Sequence, residues 1–183
     1  GIRAARARAQ GYYLLMFNMR DPEVGGFEPA KVALRRAIAM SFDDREWMRT
    51  FDQGLGYAQQ HLIGPDVVGY DPAYRNPNAF DPATANALLD RFGYRRGADG
   101  MRTNPDGTPL AVHMIVSTSS TGRRVAEFMK KSFDRIGVRV EFDTMPPGDR
   151  LKRMSTCRHQ LTTMDFGGGA PDGVSAMENF YSK

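Results

Sequence analysis

The segment best equipped to hold a small molecule by its backbone is the run Gly167, Gly168, Gly169, followed by Ala170, Pro171 and Asp172. Successive peptide N–H groups in such a run can converge on an anion or a carbonyl oxygen. Tested as a nucleotide loop it falls short. Gly167 and Gly169 fill the first two positions of G-x-G-x-x-G, but Asp172 stands at the third and Pro171 intrudes, and no G-x-x-x-x-G-K-[ST] occurs anywhere. A flexible turn from strand to helix is the plainer expectation, and Pro171-Asp172-Gly173 reads as an ordinary turn.

Cys157 and His159, two residues apart, would share one face of an extended segment, as a metal pair or a nucleophile and its base would require. A stable metal site needs three or four ligands, and His61 and His113 are remote in sequence, so no metal is expected. The thiol reads as inert and half-buried, and His113 as a satisfied or solvent-facing histidine between Val112 and Met114. No paired carboxylates and no Ser/His/Asp pattern rise above chance, so neither a catalytic residue nor a cofactor is assigned. Many turns and aromatics with few catalytic side chains favour binding over turnover.

Composition sets the frame for these residues. The chain has 183 residues with 25 Lys or Arg against 21 Asp or Glu, a net charge of +4 spread along its length, which makes no basic patch and points to no nucleic-acid partner. Hydrophobic residues at 41% and charged residues at 25% are globular values, excluding wholesale disorder. One cysteine excludes a disulfide framework, and no apolar run is long enough to span a bilayer. The sequence opens on Gly1 without a signal pattern and reads as a processed chain or part of a longer one. Residues 1–11, with Arg3, Arg6 and Arg8, read as a solvated lead-in or linker.

The elements that must position any site follow from periodicity. Residues 12–19 form a continuous apolar run that predicts a strand buried on both faces. Residues 29–42 predict a helix with Leu34, Ala37, Ile38 and Ser41 on its inner stripe. Asp43 with Glu46 opens a second, short helix carrying Trp47, Met48 and Phe51 inward. Residues 52–80, rich in Gly, Pro, Asn and Asp, predict a long surface excursion of the kind that is functional or packs on a neighbour. Asp81 as N-cap, Pro82 and Gly93 bracket a third helix with Ala85, Leu88, Leu89 and Phe92 inward. After the turns at Asp99-Gly100 and Asp106-Gly107, the alternation of Leu110, Val112, Met114 and Val116 predicts a strand. A helix over 121–136, a half-exposed strand through Val138, Val140 and Phe142, a short helix over 150–157, a strand over 161–166 and a helix over 174–181 complete the order. This is an α/β class with a mixed, partly parallel sheet flanked by helices.

Four segments taken together resemble the bacterial extracellular solute-binding proteins of the peptide/nickel class, receptors that feed dipeptide and oligopeptide ABC importers. They are a strand ending in Asn18; a helix pair carrying Arg35, Ala37, Ile38, Ala39, Asp43 and Arg45; a helix with Ala85, Leu88, Leu89 and Gly93; and Ile136, Gly137, Val138 and Val140. The resemblance runs from about Tyr12 to Tyr181. It implies that residues 12–183 are the C-terminal lobe of a two-lobe periplasmic-binding-protein-like fold, a fragment whose other lobe is absent.

The implied function is capture of a peptide or other small solute in an interlobe cleft, in the periplasm or at the cell surface. The implied partners are the N-terminal lobe and the importer permease, through which alone the chain would meet a membrane. By the same resemblance Phe166 stands for a ligand-stacking aromatic, with Gly167, Gly168 and Gly169 supplying backbone donors. Gly169 occupies the place where peptide binders carry a carboxylate, and Asp172 is a displaced candidate for it. The competing expectation is a small α/β enzyme using residues 167–169 for a phosphate-bearing substrate.

Overall fold

The structure, a computed structural model, describes residues 11–65 and 67–167. Four strands, β1 (Gly11–Phe17), β2 (Ala111–Ser117), β3 (Arg139–Met145) and β4 (Leu161–Gly167), form one sheet in the order β1-β4-β2-β3. Five helices, α1 (Pro29–Met40), α2 (Asp44–Phe51), α3 (Pro82–Arg91), α4 (Ser120–Ile136) and α5 (Pro147–Ser155), accompany it. β2 runs parallel to β3 and to β4, while β1 runs antiparallel to β4. The sheet is therefore mixed and partly parallel, as the element order predicts. The α4 connection moves from β2 outward to β3 and the α5 connection moves back past β2 to β4. Right-handed crossovers in opposite directions place their helices on opposite faces.

One cluster of buried apolar side chains unites α1, α3, α4 and the sheet. Leu34, Ala37 and Ile38 of α1, Leu89 of α3, Met129, Phe133 and Ile136 of α4 and Met114 of β2 are all essentially inaccessible. Each lies on the stripe or strand face that sequence periodicity assigns to the core. The caps are also as expected. The Asp43 carboxylate accepts from Glu46 N–H at 2.9 Å, that of Asp81 accepts from Thr84 N–H at 3.0 Å, and Gly137 ends α4 at φ 69°. The Glu46 side chain does not reach back to its cap. It turns to α4, where it accepts from Lys131 at 2.6 Å and from Arg135 at 2.8 Å.

Three expectations change. The apolar run at residues 12–19 is an edge strand with its side chains half-buried, not a strand enclosed on both faces. Its odd-numbered members Tyr13, Leu15 and Phe17 pack on the core, and antiparallel pairing to β4 satisfies one backbone edge. α5 begins at Pro147, three residues before the expected start, because Pro146 takes the N-cap and Pro147 the first helical position. The Cys157 thiol is exposed, not half-buried, on a residue held at φ 54° in the turn that links α5 to β4. The expected helix over 174–181 lies outside the described residues.

The family-like residues turn out to hold the frame together. Asn18 Nδ2 donates to the carbonyls of Cys157 at 3.0 Å and His159 at 2.8 Å, clamping β1 to the turn before β4. Arg35 donates to the carbonyls of Val24 at 2.7 Å and Gly26 at 2.9 Å, fixing the loop ahead of α1.

Candidate ligand-binding site

β1 and β4 pair along all seven residues, from Gly11↔Gly167 to Phe17↔Leu161, whereas β2 meets β4 at Met114↔Leu161. Asp165 and Phe166 are thus four and five residues beyond that meeting point. By register they pass the end of β2 at Ser117, so the Tyr12–Phe166 and Tyr13–Asp165 pairs project as a two-stranded ribbon past the carboxyl end of the parallel strands. That end of an open α/β sheet is where ligand crevices form.

A concavity of about 1670 Å³ opens there, bounded by the ribbon, α2, the start of α4 and the excursion from Gly54 to Leu62. Small-molecule sites commonly enclose roughly 300–1,000 Å³, so this one is broad for a single wall. The excursion has neither helix nor strand, as its composition predicts, and Leu55, which it contributes to the lining, is 68% exposed.

The concavity is backed by a column of stacked rings. Tyr13 lies 4.5 Å from Trp47, and Trp47 lies 4.0 Å from Phe51 at an interplanar angle of 27°. Phe128 of α4 meets Trp47 edge-on at 5.1 Å. The guanidinium of Arg124 sits 4.9 Å over the Phe51 ring and donates to the Thr50 carbonyl, closing that end of the column. Burial pushes the Tyr13 hydroxyl up to about 12, against the lowering effect of its hydrogen bond with Thr163, so it remains a neutral phenol.

Phe166 is half-buried and borders the concavity. It stands opposite Tyr12 in the ladder and stacks on it at 5.4 Å with 24° between the rings. The face shared by Met164, Phe166, Tyr12 and Leu14 is the one turned away from the core cluster, because Tyr13, Leu15 and Leu161 occupy the other. Gly167 is exposed at the rim, with open space around its α-carbon. Gly168, Gly169 and Asp172 lie outside the described residues.

The sequence reading did not single out Asp165, which lines the same concavity on the Tyr13 side. It also passed over the stacking of Tyr13 on Trp47. The one signal available was an acidic residue inside the strand expected over 161–166; in the structure Asp165 is exposed. Among the described residues, no three His, Cys, Asp or Glu side chains come together where they could hold a metal ion. Burial holds the His159 imidazole below the usual histidine range. His113 faces Glu141 at 3.7 Å on the neighbouring strand.

Comparison with known proteins agrees with this architecture. The family described as bacterial extracellular solute-binding proteins, family 5 Middle, matches residues 2–183. The chain is 27% identical over 148 residues to the dipeptide-binding protein of Escherichia coli (strain K12), covering 79% of this chain and 26% of the relative. It is 30% identical over 146 residues to the di/tripeptide-binding protein 2 of Pseudomonas aeruginosa (strain UCBPP-PA14), covering 76% and 25%. The chain thus spans about a quarter of the length of these curated relatives.

Among solved structures, NikA from Brucella suis in complex with Fe(III)-EDTA superposes with a TM-score of 0.73 at 25% identity, over 91% of this chain and 33% of that one. The Helicobacter pylori periplasmic binding protein DppA in complex with the peptide STSA gives a TM-score of 0.74 at 18% identity, over 92% and 30%, a likeness of fold. A family of binding proteins leaves no place for the phosphate-using enzyme as an expectation. With a match along nearly the whole chain, this protein belongs to the bacterial extracellular solute-binding proteins of family 5.

Proposed function

We propose that residues 12–183 act as the C-terminal lobe of a two-lobe receptor, with residues 1–11 as lead-in, that captures a peptide or other small solute for an ABC importer. The observation that carries this reading is the broad concavity at the carboxyl end of the parallel strands, backed by aromatic rings and open along one side of the ribbon. A single wall of this size suits a cleft completed by a second lobe and closed by hinge motion. The peptide-binding relatives named above support a peptide among the solutes. Capture would take place in the periplasm or at the cell surface, with delivery to a membrane permease. Phe166 would supply an aromatic platform beside Tyr12, with backbone N–H groups of Gly167, Gly168 and Gly169 as donors and Asp172 as a nearby carboxylate.

Calorimetry with Ala-Ala and Ala-Phe on the 183-residue chain and on the full-length protein tests the split site. The full-length protein should bind at least one, and the chain alone should bind at least about 100-fold more weakly, because contacts from one wall must offset the whole cost of association. Tight, stoichiometric capture by the isolated chain would overturn the two-lobe reading. In the full-length protein, Phe166→Ala should weaken binding about tenfold while lowering stability by no more than about 1 kcal/mol, since the ring is half-buried outside the core. A stability loss of about 3–5 kcal/mol with unchanged affinity would remove Phe166 from the site.

A further inference from the structure

We infer that Arg150 is a positioning residue for solute capture. From α5 it ties β4 to β2 beyond the end of their ladder, and so sets where the β1–β4 ribbon stands as a wall of the concavity. The inference takes solute capture in the concavity as its premise.

The first observation is how little joins the two halves of the sheet. β1 and β4 pair along seven residues, and so do β2 and β3, but β2 and β4 share the single pair Met114↔Leu161 among the described residues. At this seam the connections also part, outward to β3 through α4 and back to β4 through α5. Crevices of open α/β sheets form at such a switch point. Side chains stand in for ladder bonds along the seam. The His113 N–H donates to Gln160 Oε1 at 2.7 Å on one side of the pair, and on the other Thr162 Oγ1 donates to the Ile115 carbonyl at 3.3 Å.

The second observation is what Arg150 holds. Its Nε donates to Thr162 Oγ1 at 3.2 Å, and its Nη2 donates to the Thr163 carbonyl. One planar guanidinium thus grips two successive residues of β4, and through the Thr162 hydroxyl it reaches β2. No residue of α5 is buried. Polar contacts therefore fasten this helix to the sheet, Arg150 on β4 and Arg153 on Asp143 of β3 at 3.0 Å.

The third observation is where Thr163 leads. Its side chain hydrogen-bonds Tyr13, and Tyr13 stacks on Trp47 at the back of the concavity. Phe166 lies three residues farther along β4, roughly 10 Å away, towards the free end of the ribbon. Arg150 does not itself line the concavity. It acts on the wall, at the root of the ribbon, and not on the solute.

Calorimetry of the full-length protein with Ala-Ala and Ala-Phe, paired with hydrogen-exchange mass spectrometry, tests this. Arg150→Met keeps much of the stem and removes both bonds. It should weaken capture about five- to tenfold and speed amide exchange at residues 11–14 and 163–167, while exchange in α1 and α4 stays as it was. Arg150→Lys, one compact donor for two acceptors, should recover part of the loss. Arg153→Met loosens α5 from β3 but leaves the seam intact, and should stay within about twofold. Thr162→Val should also weaken capture, and combined with Arg150→Met should add less than its separate effect, because both act through one chain of bonds. Where Arg150→Met does not fold, Arg150→Lys and Thr162→Val carry the test, and both must weaken capture. Unchanged affinity in Arg150→Met, an equal loss in Arg153→Met, or faster exchange throughout the chain would overturn the assignment. Dipeptide capture indifferent to Arg150 would sink this inference and keep the receptor. Faster exchange confined to the ribbon in Arg150→Met, with no dipeptide captured by the unsubstituted protein, would do the reverse.

Discussion

At Gly122 a single hydrogen decides whether α4 can approach the sheet. A Cβ built there would stand 2.0 Å from the carbonyl oxygen of Ser117 and 2.8 Å from its carbon, both backbone atoms at the end of β2. Alanine would favour the helix by about 1 kcal/mol, but the helix start and the strand end would have to part. Gly122→Ala should therefore destabilise by about 1–3 kcal/mol in chemical denaturation. Gly148→Ala in α5, where no atom lies within 4 Å, should be neutral or slightly stabilising. Equal effects at the two positions would show that the close approach carries no energy. The same start of α4 borders the concavity, through Thr121 and Arg124, so a shift there also moves the cation that closes the ring column.

At the scale of elements, α2 is fastened to α4 by Glu46, whose carboxylate receives Lys131 and Arg135 and is held below the usual carboxylate range by them. A folded value lower than the unfolded one, roughly 4.3, means the contribution is present above that pH and lost as pH falls through the folded value. Glu46→Gln should cost about 0.5–1 kcal/mol at pH 7, and the difference from the unsubstituted chain should narrow in the acid range, as pH falls through the folded value. A gap that is the same at pH 7 and in the acid range would assign the effect to packing instead of charge. This fastening matters for the site because α2 carries Trp47 and Phe51, the middle and the far end of the column.

At the scale of the whole molecule, one buried cluster joins four helices to the sheet, with Trp47 as the contribution of α2. Thermal unfolding should be cooperative, with Trp47 fluorescence and far-UV circular dichroism giving one midpoint. Separate midpoints would mean that α2 and the excursion melt before the sheet. The cluster ends where the ribbon of β1 and β4 runs past β2, and the concavity begins there. Core and site are thus neighbours, joined by Tyr13, which faces both.

Local chemistry alone carried much of this. Periodicity, apolar runs and cap residues marked the helices and strands now described, because such signals are properties of short segments. Caps at Asp43 and Asp81 and the stop at Gly137 are equally local. The family-like residues were legible for the same reason, and Asn18, Arg35 and Asp43 prove to brace loops and helix ends. What the chain alone left open depends on partners far away in sequence. An apolar run looks the same at a sheet's edge as at its centre, so the place of β1 waited for its pairing with β4. Which face Phe166 shares, and that Asp165 stands beside Tyr13, are set by a ladder joining residues about 150 positions apart. Pairing register is a cooperative outcome of the whole sheet, and no local pattern encodes it.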